Sequence, residues 1–199
     1  MSSRRPNRST DPFSEWDTKT FQLPEVGKYD SGDVALDKMW PVVPDIIRPY
    51  ILREPDIPNL FEPKQILCKP LFEPHETVAV VVARVSTAGR LQDVRSPLKQ
   101  AYGAIMQERV VPSFRIAGVI LDFFKSGGLI QGRMLWDHLV AWLKRCRDEN
   151  LRPLFNALYV PYIDRSSRIA EVVFEIARIC RYFDLKLVER ACDTDLADV

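Results

Sequence analysis

Cysteine and histidine are scarce in this chain, and those present are scattered. The four cysteines form no CxxC pair, and neither histidine falls into a ligand cluster with them; the residues are Cys68, Cys146, Cys180, Cys192, His75 and His138. Zinc sites need several such ligands at close, regular spacing. We therefore expect no metal centre, and we interpret the cysteines as reduced thiols of a cytoplasmic protein.

A strong net charge and a long apolar run are also lacking. The net charge is +1, so no overall field attracts nucleic acid, and any DNA contact must use local clusters of cations. No apolar run reaches the roughly 18 residues of a membrane span, and "MSSRRPNRST" has no apolar core of a signal peptide. We therefore expect no membrane partner. The basic "SSRRPNR" is open to two interpretations, an arm that grips DNA phosphates and an ordinary disordered start.

Proline is abundant only in the first part of the chain. Eleven of the fifteen prolines precede residue 76, and prolines this dense block long helices. Residues 1–35 are polar and predict disorder. Residues 36–75 are too apolar for a free linker and predict an irregular arm that packs on the following domain or on a partner. We divide the chain into a Pro-rich, partly disordered extension, 1–76, and a domain, 77–199.

From residue 77 the pattern alternates between strands and helices. Apolar runs predict strands and apolar stripes at helical spacing predict helices; the strands are 77–86, 113–124, 154–163 and 186–192, and the helices are 96–110, 130–150 and 164–185. A short helix is the alternative for 113–124, and Pro161 is unusual inside a central strand. The order predicts an α/β fold, a mainly parallel four- to five-stranded sheet flanked by helices, with an irregular Pro-rich N-terminal arm.

Charged and hydroxyl side chains follow the predicted strands. The first strand ends with Arg84 and Ser86, and the third is followed by Asp164, Arg165 and Arg168. Sites in such sheets form at the carboxyl ends of the strands. A further arginine, Arg133, opens the second helix. One guanidinium group binds two phosphate oxygens at once and remains charged at any working pH. The cluster therefore suits a serine nucleophile that attacks a phosphodiester.

Three short motifs carry a resemblance to a known family. "ARVST" at 83–87, "SGGLIQGR" at 126–133 and "IDRSSRI" at 163–169 stand in this order, each in its expected helix-strand context. Over residues 77–192 the chain resembles the catalytic domain of the resolvase/invertase family of serine recombinases. The family cleaves and rejoins DNA in site-specific recombination or transposition.

The resemblance implies a role for each matching position. Ser86 is then the nucleophile that forms a 5′-phosphoserine link to DNA, and Arg84, Arg165 and Arg168 hold the scissile phosphate. Arg133 assists from the second helix. Asp164 acts in proton transfer or orients the arginines, and Asp122, at the end of the second strand, matches the family's acidic residue there. No metal or cofactor is implied.

The resemblance also leaves alternatives open. Family members continue into a long dimerisation helix and a DNA-binding domain, whereas this sequence ends at "ACDTDLADV". We therefore expect DNA as the substrate, a dimer or tetramer as the active form, and a separate DNA-binding protein as a partner. A catalytically inactive interaction or regulatory module with the same fold is the alternative. We assign Trp136, Trp142 and Phe174 to the core and both histidines to structural roles.

Overall fold

A computed structural model describes most of the chain in separate ranges. These are residues 12–13, 32–66, 69–84, 95–122, 134–161, 170–189 and 192–195. The helices are α1 (Gly32–Met39), α2 (Arg95–Val110), α3 (Met134–Asp148) and α4 (Ala170–Phe183). The strands are β1 (Phe61–Pro63), β2 (Thr77–Arg84), β3 (Phe114–Asp122), β4 (Leu151–Pro153), β5 (Ala157–Val160), β6 (Lys186–Glu189) and β7 (Cys192–Asp195).

The main sheet has five strands in the order β3-β2-β5-β6-β7. The first four are parallel, and β7 pairs antiparallel with β6 at one edge. Helices separate the parallel strands in sequence, as crossover connections between parallel neighbours require. The predicted α/β class with a mainly parallel sheet is confirmed, and 113–124 contains a strand, β3, rather than the alternative short helix.

Both faces of the sheet are buried, which explains the unbroken apolar run in β2. Val78, Val80 and Val82 point into one core with α3 and α4. Ala79, Val81 and Ala83 point into the opposite core with α2. Successive strand residues alternate between faces, so a strand covered on both sides has to be apolar at every position.

The Pro-rich arm contributes to both cores. Three 3₁₀ turns, Trp40–Val42, Arg48–Tyr50 and Glu54–Leu60, carry it past the sheet. Residues up to Ile51 pack on the α2 side, and Leu52, Ile57, Leu60 and Phe61 pack on the α3 side. The predicted irregular arm is therefore an integral layer of the fold. Its prolines favour tight turns because each fixes its backbone φ and removes one donor.

The arm crosses from one face of the sheet to the other at the outer edge of β3. The Leu52 N–H donates to the Val119 carbonyl oxygen at 2.9 Å, and Ile51 forms a parallel bridge with Val119. Gly118 leaves the room for this crossing, since an added Cβ would lie 2.5 Å from the Leu52 side chain. The crossing covers a strand edge that would otherwise be free to pair with another chain.

The structure corrects three sequence-based boundaries. Predicted disorder over 1–35 is wrong at Phe13, which is buried against α2, and at the first residues of α1; most of that range lies outside the described residues. The third strand ends at Val160, because Pro161 cannot donate to a neighbouring strand. The fourth predicted strand, 186–192, is shorter and ends at Glu189, and β7 begins at Cys192.

Candidate functional site

The carboxyl ends of three adjacent strands form the edge to which the sequence motifs belong. β2 ends at Arg84 and β3 ends at Asp122, and these two residues are register partners. β5, the other neighbour of β2, ends at Val160. Each motif-bearing segment therefore begins where one of three hydrogen-bonded neighbours ends.

Two of the seven predicted site residues fall within the described ranges. Arg84 and Asp122 are the last residues of β2 and β3, and the structure describes their backbones alone. The remaining predicted site residues all lie outside the described ranges; they are Ser86, Arg133, Asp164, Arg165 and Arg168. The structure therefore pairs the strand ends that the motifs follow.

Apolar burial continues up to this edge. Ala83 and Leu121 are buried directly before Arg84 and Asp122, and Val160 is buried at the end of β5. Arg84 and Asp122 therefore come directly after buried strand residues at the carboxyl edge of the sheet.

A buried N–H near the start of α3, on Trp136, is unpaired among the described residues, which the sequence did not predict. Trp136 is 3% exposed, which confirms its assignment to the core, yet its indole Nε1–H has no hydrogen-bond partner among the described residues. The residue lies in the first turn of α3, a few positions after the predicted Arg133. The sequence shows that Trp136 lies on the apolar side of a helix, but it gives no sign that the indole N–H lacks a hydrogen-bond acceptor.

Two other sequence-based assignments meet different outcomes. Phe174 is 73% exposed, so its assignment to the core is wrong; it lies on α4 away from the buried stripe formed by Ile176, Ile179 and Cys180. His138 does have a partner, because its Nδ1 lies 3.4 Å from a carboxylate oxygen of Glu54 in the arm. This contact joins residues far apart in sequence, so no local pattern could reveal it.

The described residues contain no metal centre. No group of three histidine, cysteine or acidic residues in those ranges could hold an ion. Two described cysteines differ in burial: Cys180 is fully buried, and Cys146 is half-buried. Burial raises the pKa of the Cys146 thiol to about 11, which makes it a poor ligand and a poor nucleophile near neutral pH.

Neither the helices nor the comparisons with known proteins add a functional assignment. Within the described ranges, no helix has the length and apolar character needed to cross a membrane. The chain matches no family model, no curated protein and no solved structure. Support for a function therefore comes from the residues and the topology of this chain alone.

Proposed function

We propose that the chain is a serine recombinase-type enzyme that cuts and rejoins DNA through a covalent 5′-phosphoserine on Ser86. The observation that carries the proposal is the strand order β3-β2-β5. It joins the carboxyl ends of the three strands that precede "SGGLIQGR", "ARVST" and "IDRSSRI". Motifs far apart in the sequence thus start from one edge of one sheet.

Chain length limits how far the proposed residues can be from one another. A fully extended chain spans at most about 3.6 Å per residue. Ser86, two residues after Arg84, can therefore lie at most about 7 Å from Arg84, and Arg165, four residues after Pro161, at most about 14 Å from Pro161. Neighbouring strands are only about 4.8 Å apart. A long arginine side chain can therefore meet a serine hydroxyl at this edge.

The proposed chemistry is a reversible transfer of a DNA phosphoryl group to the Ser86 oxygen. The Ser86 hydroxyl oxygen attacks the phosphorus, a P–O bond to serine forms, and the bond to the 3′-oxygen breaks. The serine proton passes to a base, and the departing 3′-oxygen takes up a proton. Rejoining is the reverse attack by a 3′-hydroxyl, so the energy of the broken bond is retained in the phosphoserine.

The arginines supply the charge that this reaction needs. Arg84, Arg165 and Arg168 hold the phosphate oxygens and stabilise the charge that develops on them, and Arg133 assists. Asp164 moves a proton or orients the arginines, and Asp122 is the acidic residue at the end of β3. The proposed step calls for no metal ion or cofactor, because guanidinium groups neutralise the phosphate.

The proposal extends to partners and location. DNA is the substrate, and the active form is a dimer or tetramer, because two duplexes have to be cut and exchanged together. A separate DNA-binding protein supplies affinity for the site. The interpretation of the cysteines as reduced thiols supports a cytoplasmic location.

Covalent capture tests the nucleophile even while the target DNA sequence is unidentified. The tagged chain is expressed in cells, purified under denaturing conditions, and any attached DNA ends are sequenced. We expect attached DNA with free 3′-hydroxyl ends, and we expect none with Ser86→Ala. Arg165→Ala and Arg168→Ala should each lower the yield about a hundredfold, since a lost transition-state contact costs roughly 3 kcal/mol.

A matched control separates chemistry from folding. Ser113 lies just before β3, at the opposite end of the sheet, and Ser113→Ala should leave the capture unchanged. Capture that persists in Ser86→Ala, or that requires Mg²⁺, would overturn the mechanism. A folded chain that never captures DNA, even with a separate DNA-binding protein present, favours the inactive interaction module.

A further inference from the structure

The C-terminal ends of α3 and α4 enclose a groove of about 360 Å³. This volume lies within the usual range of ligand pockets, roughly 300–1,000 Å³. We name it the α3–α4 groove, and its lining consists of Lys144, Arg147, Asp148, Arg178, Ile179, Tyr182 and Phe183. Because both helices run back to the amino ends of the strands, the groove lies at the opposite edge of the sheet from Arg84.

Apolar and aromatic side chains form the inside of the groove and continue along α4. Ile179 is buried, and Phe183 packs edge-on against Tyr182 with ring centroids 4.7 Å apart. Tyr182 is 54% exposed and Phe174, two turns earlier on the same side of α4, is 73% exposed. Aromatic side chains are enriched at protein interfaces, and these two add exposed apolar surface in and beside the groove.

Cations also line the groove. Lys144 and Arg178 are exposed, and neither has an ion-pair partner among the described residues. Arg147 is engaged within the groove, where its Nε lies 3.2 Å from Asp148 and its NH1 donates to the Tyr182 hydroxyl. Asp148 is the one carboxylate among the described residues that line the groove, so this lining carries an excess of positive charge although the whole chain is nearly neutral.

Among the described residues, neighbouring charges do not cancel this excess. Arg145, beside Lys144, lies outside the lining and is bound in a two-point contact by Glu149, with distances of 3.0 and 2.8 Å. That contact holds the pKa of the Glu149 carboxyl below its usual value. Lys144 and Arg178 therefore remain available to an incoming anionic group.

We propose that the α3–α4 groove binds an acidic segment of a partner protein, which inserts one apolar side chain between Ile179, Tyr182 and Phe183. Carboxylates on either side of that side chain meet Lys144 and Arg178. An aliphatic or aromatic side chain needs no hydrogen bond on an apolar floor, whereas a nucleobase would lose the hydration of its polar edge without replacement. The Tyr182 hydroxyl, a polar group of the lining, is already engaged by Arg147.

Fluorescence anisotropy with a short labelled peptide tests the proposal on the full chain. The probe carries aspartates and glutamates on both sides of a central Leu-Phe pair, and we expect saturable binding that weakens as salt is added. Lys144→Glu and Arg178→Glu should each weaken binding by about fivefold or more, as reversal of an exposed ion pair does. Arg109→Glu, an equal charge reversal on α2 across the sheet, should have no effect.

A second readout needs no variant of the protein. A probe with Ser-Ser in place of Leu-Phe keeps every charge, and its binding should be lost if an inserted apolar side chain anchors the segment. Absence of binding up to about 0.5 mM, or binding that ignores both charge reversals, overturns the proposal. Oligothymidylate that displaces the probe and shows the same sensitivity to Lys144→Glu and Arg178→Glu would identify the groove as a nucleic-acid site instead.

Discussion

Replacing Gly118 by alanine tests how the arm is held against the sheet. The added Cβ would lie 2.5 Å from Cγ and Cδ1 of Leu52 and 2.7 Å from Cδ2. Carbon atoms prefer about 3.5–4.0 Å, so the Leu52 side chain has to retreat by about 1 Å. It cannot do so alone, because Leu52 is 8% exposed and its N–H is bonded to the Val119 carbonyl at 2.9 Å.

Two effects set the expected loss of stability in Gly118→Ala. Overpacking a core costs about 1–3 kcal/mol, and weakening the Leu52–Val119 hydrogen bond costs about 1 kcal/mol more. We expect the free energy of unfolding to fall by about 3 kcal/mol, which lowers the melting temperature of a chain of this size by roughly 6–12 °C. Urea unfolding and a thermal melt measure both values.

A double-mutant cycle isolates the contact between the two side chains. Leu52→Ala alone should cost about 3 kcal/mol because it leaves a cavity. In the double variant the alanine methyl at 118 enters that cavity, so the loss should be about 2 kcal/mol smaller than the sum of the single losses. Additive losses, or a Gly118→Ala chain as stable as the parent, would refute the steric reasoning.

Four further outcomes follow from burial and hydrogen bonding. Cys146, with its pKa raised from 9.0 to about 11, should react with iodoacetamide at pH 8 about a hundredfold more slowly in the folded chain than in urea, measured by mass spectrometry. Its folded pKa lies above the unfolded value, so its contribution to stability is present below pH 9 and is lost as the pH rises towards 11. Phe13→Ala should lower the free energy of unfolding by about 3 kcal/mol, because the ring is 2% exposed and packs on Tyr102; an unchanged urea midpoint would contradict that burial. Asn156→Ala should lower it by about 2 kcal/mol, since the Val78 N–H loses its 2.8 Å acceptor; amide exchange at Val78 should accelerate, and equal protection in both chains would exclude the effect.

Local patterns in the sequence are sufficient for the class of fold and the position of most elements. Val78 to Ala83 is apolar at every position, as a strand buried on both faces requires. The stripe through Ile176, Ile179 and Cys180 predicts α4 and its buried side in the same way. These features are local, because the period of apolar residues reports the shape of the backbone wherever it lies in the fold. The motifs for the candidate site are local as well, and they supply the residues that are proposed for it.

How these pieces meet depends on the tertiary structure. The order β3-β2-β5 joins the three strand ends, and no periodic pattern contains the identity of a strand's neighbours. The arm crosses to the second face at Gly118 because Leu52 fits against a missing side chain, a match between residues far apart in sequence. Phe174 is apolar in sequence and exposed in the fold, since α4 turns its other side to the core. Contacts of this kind depend on close packing between residues that are distant in sequence, so the shape that fits at one position is set by its neighbours in space.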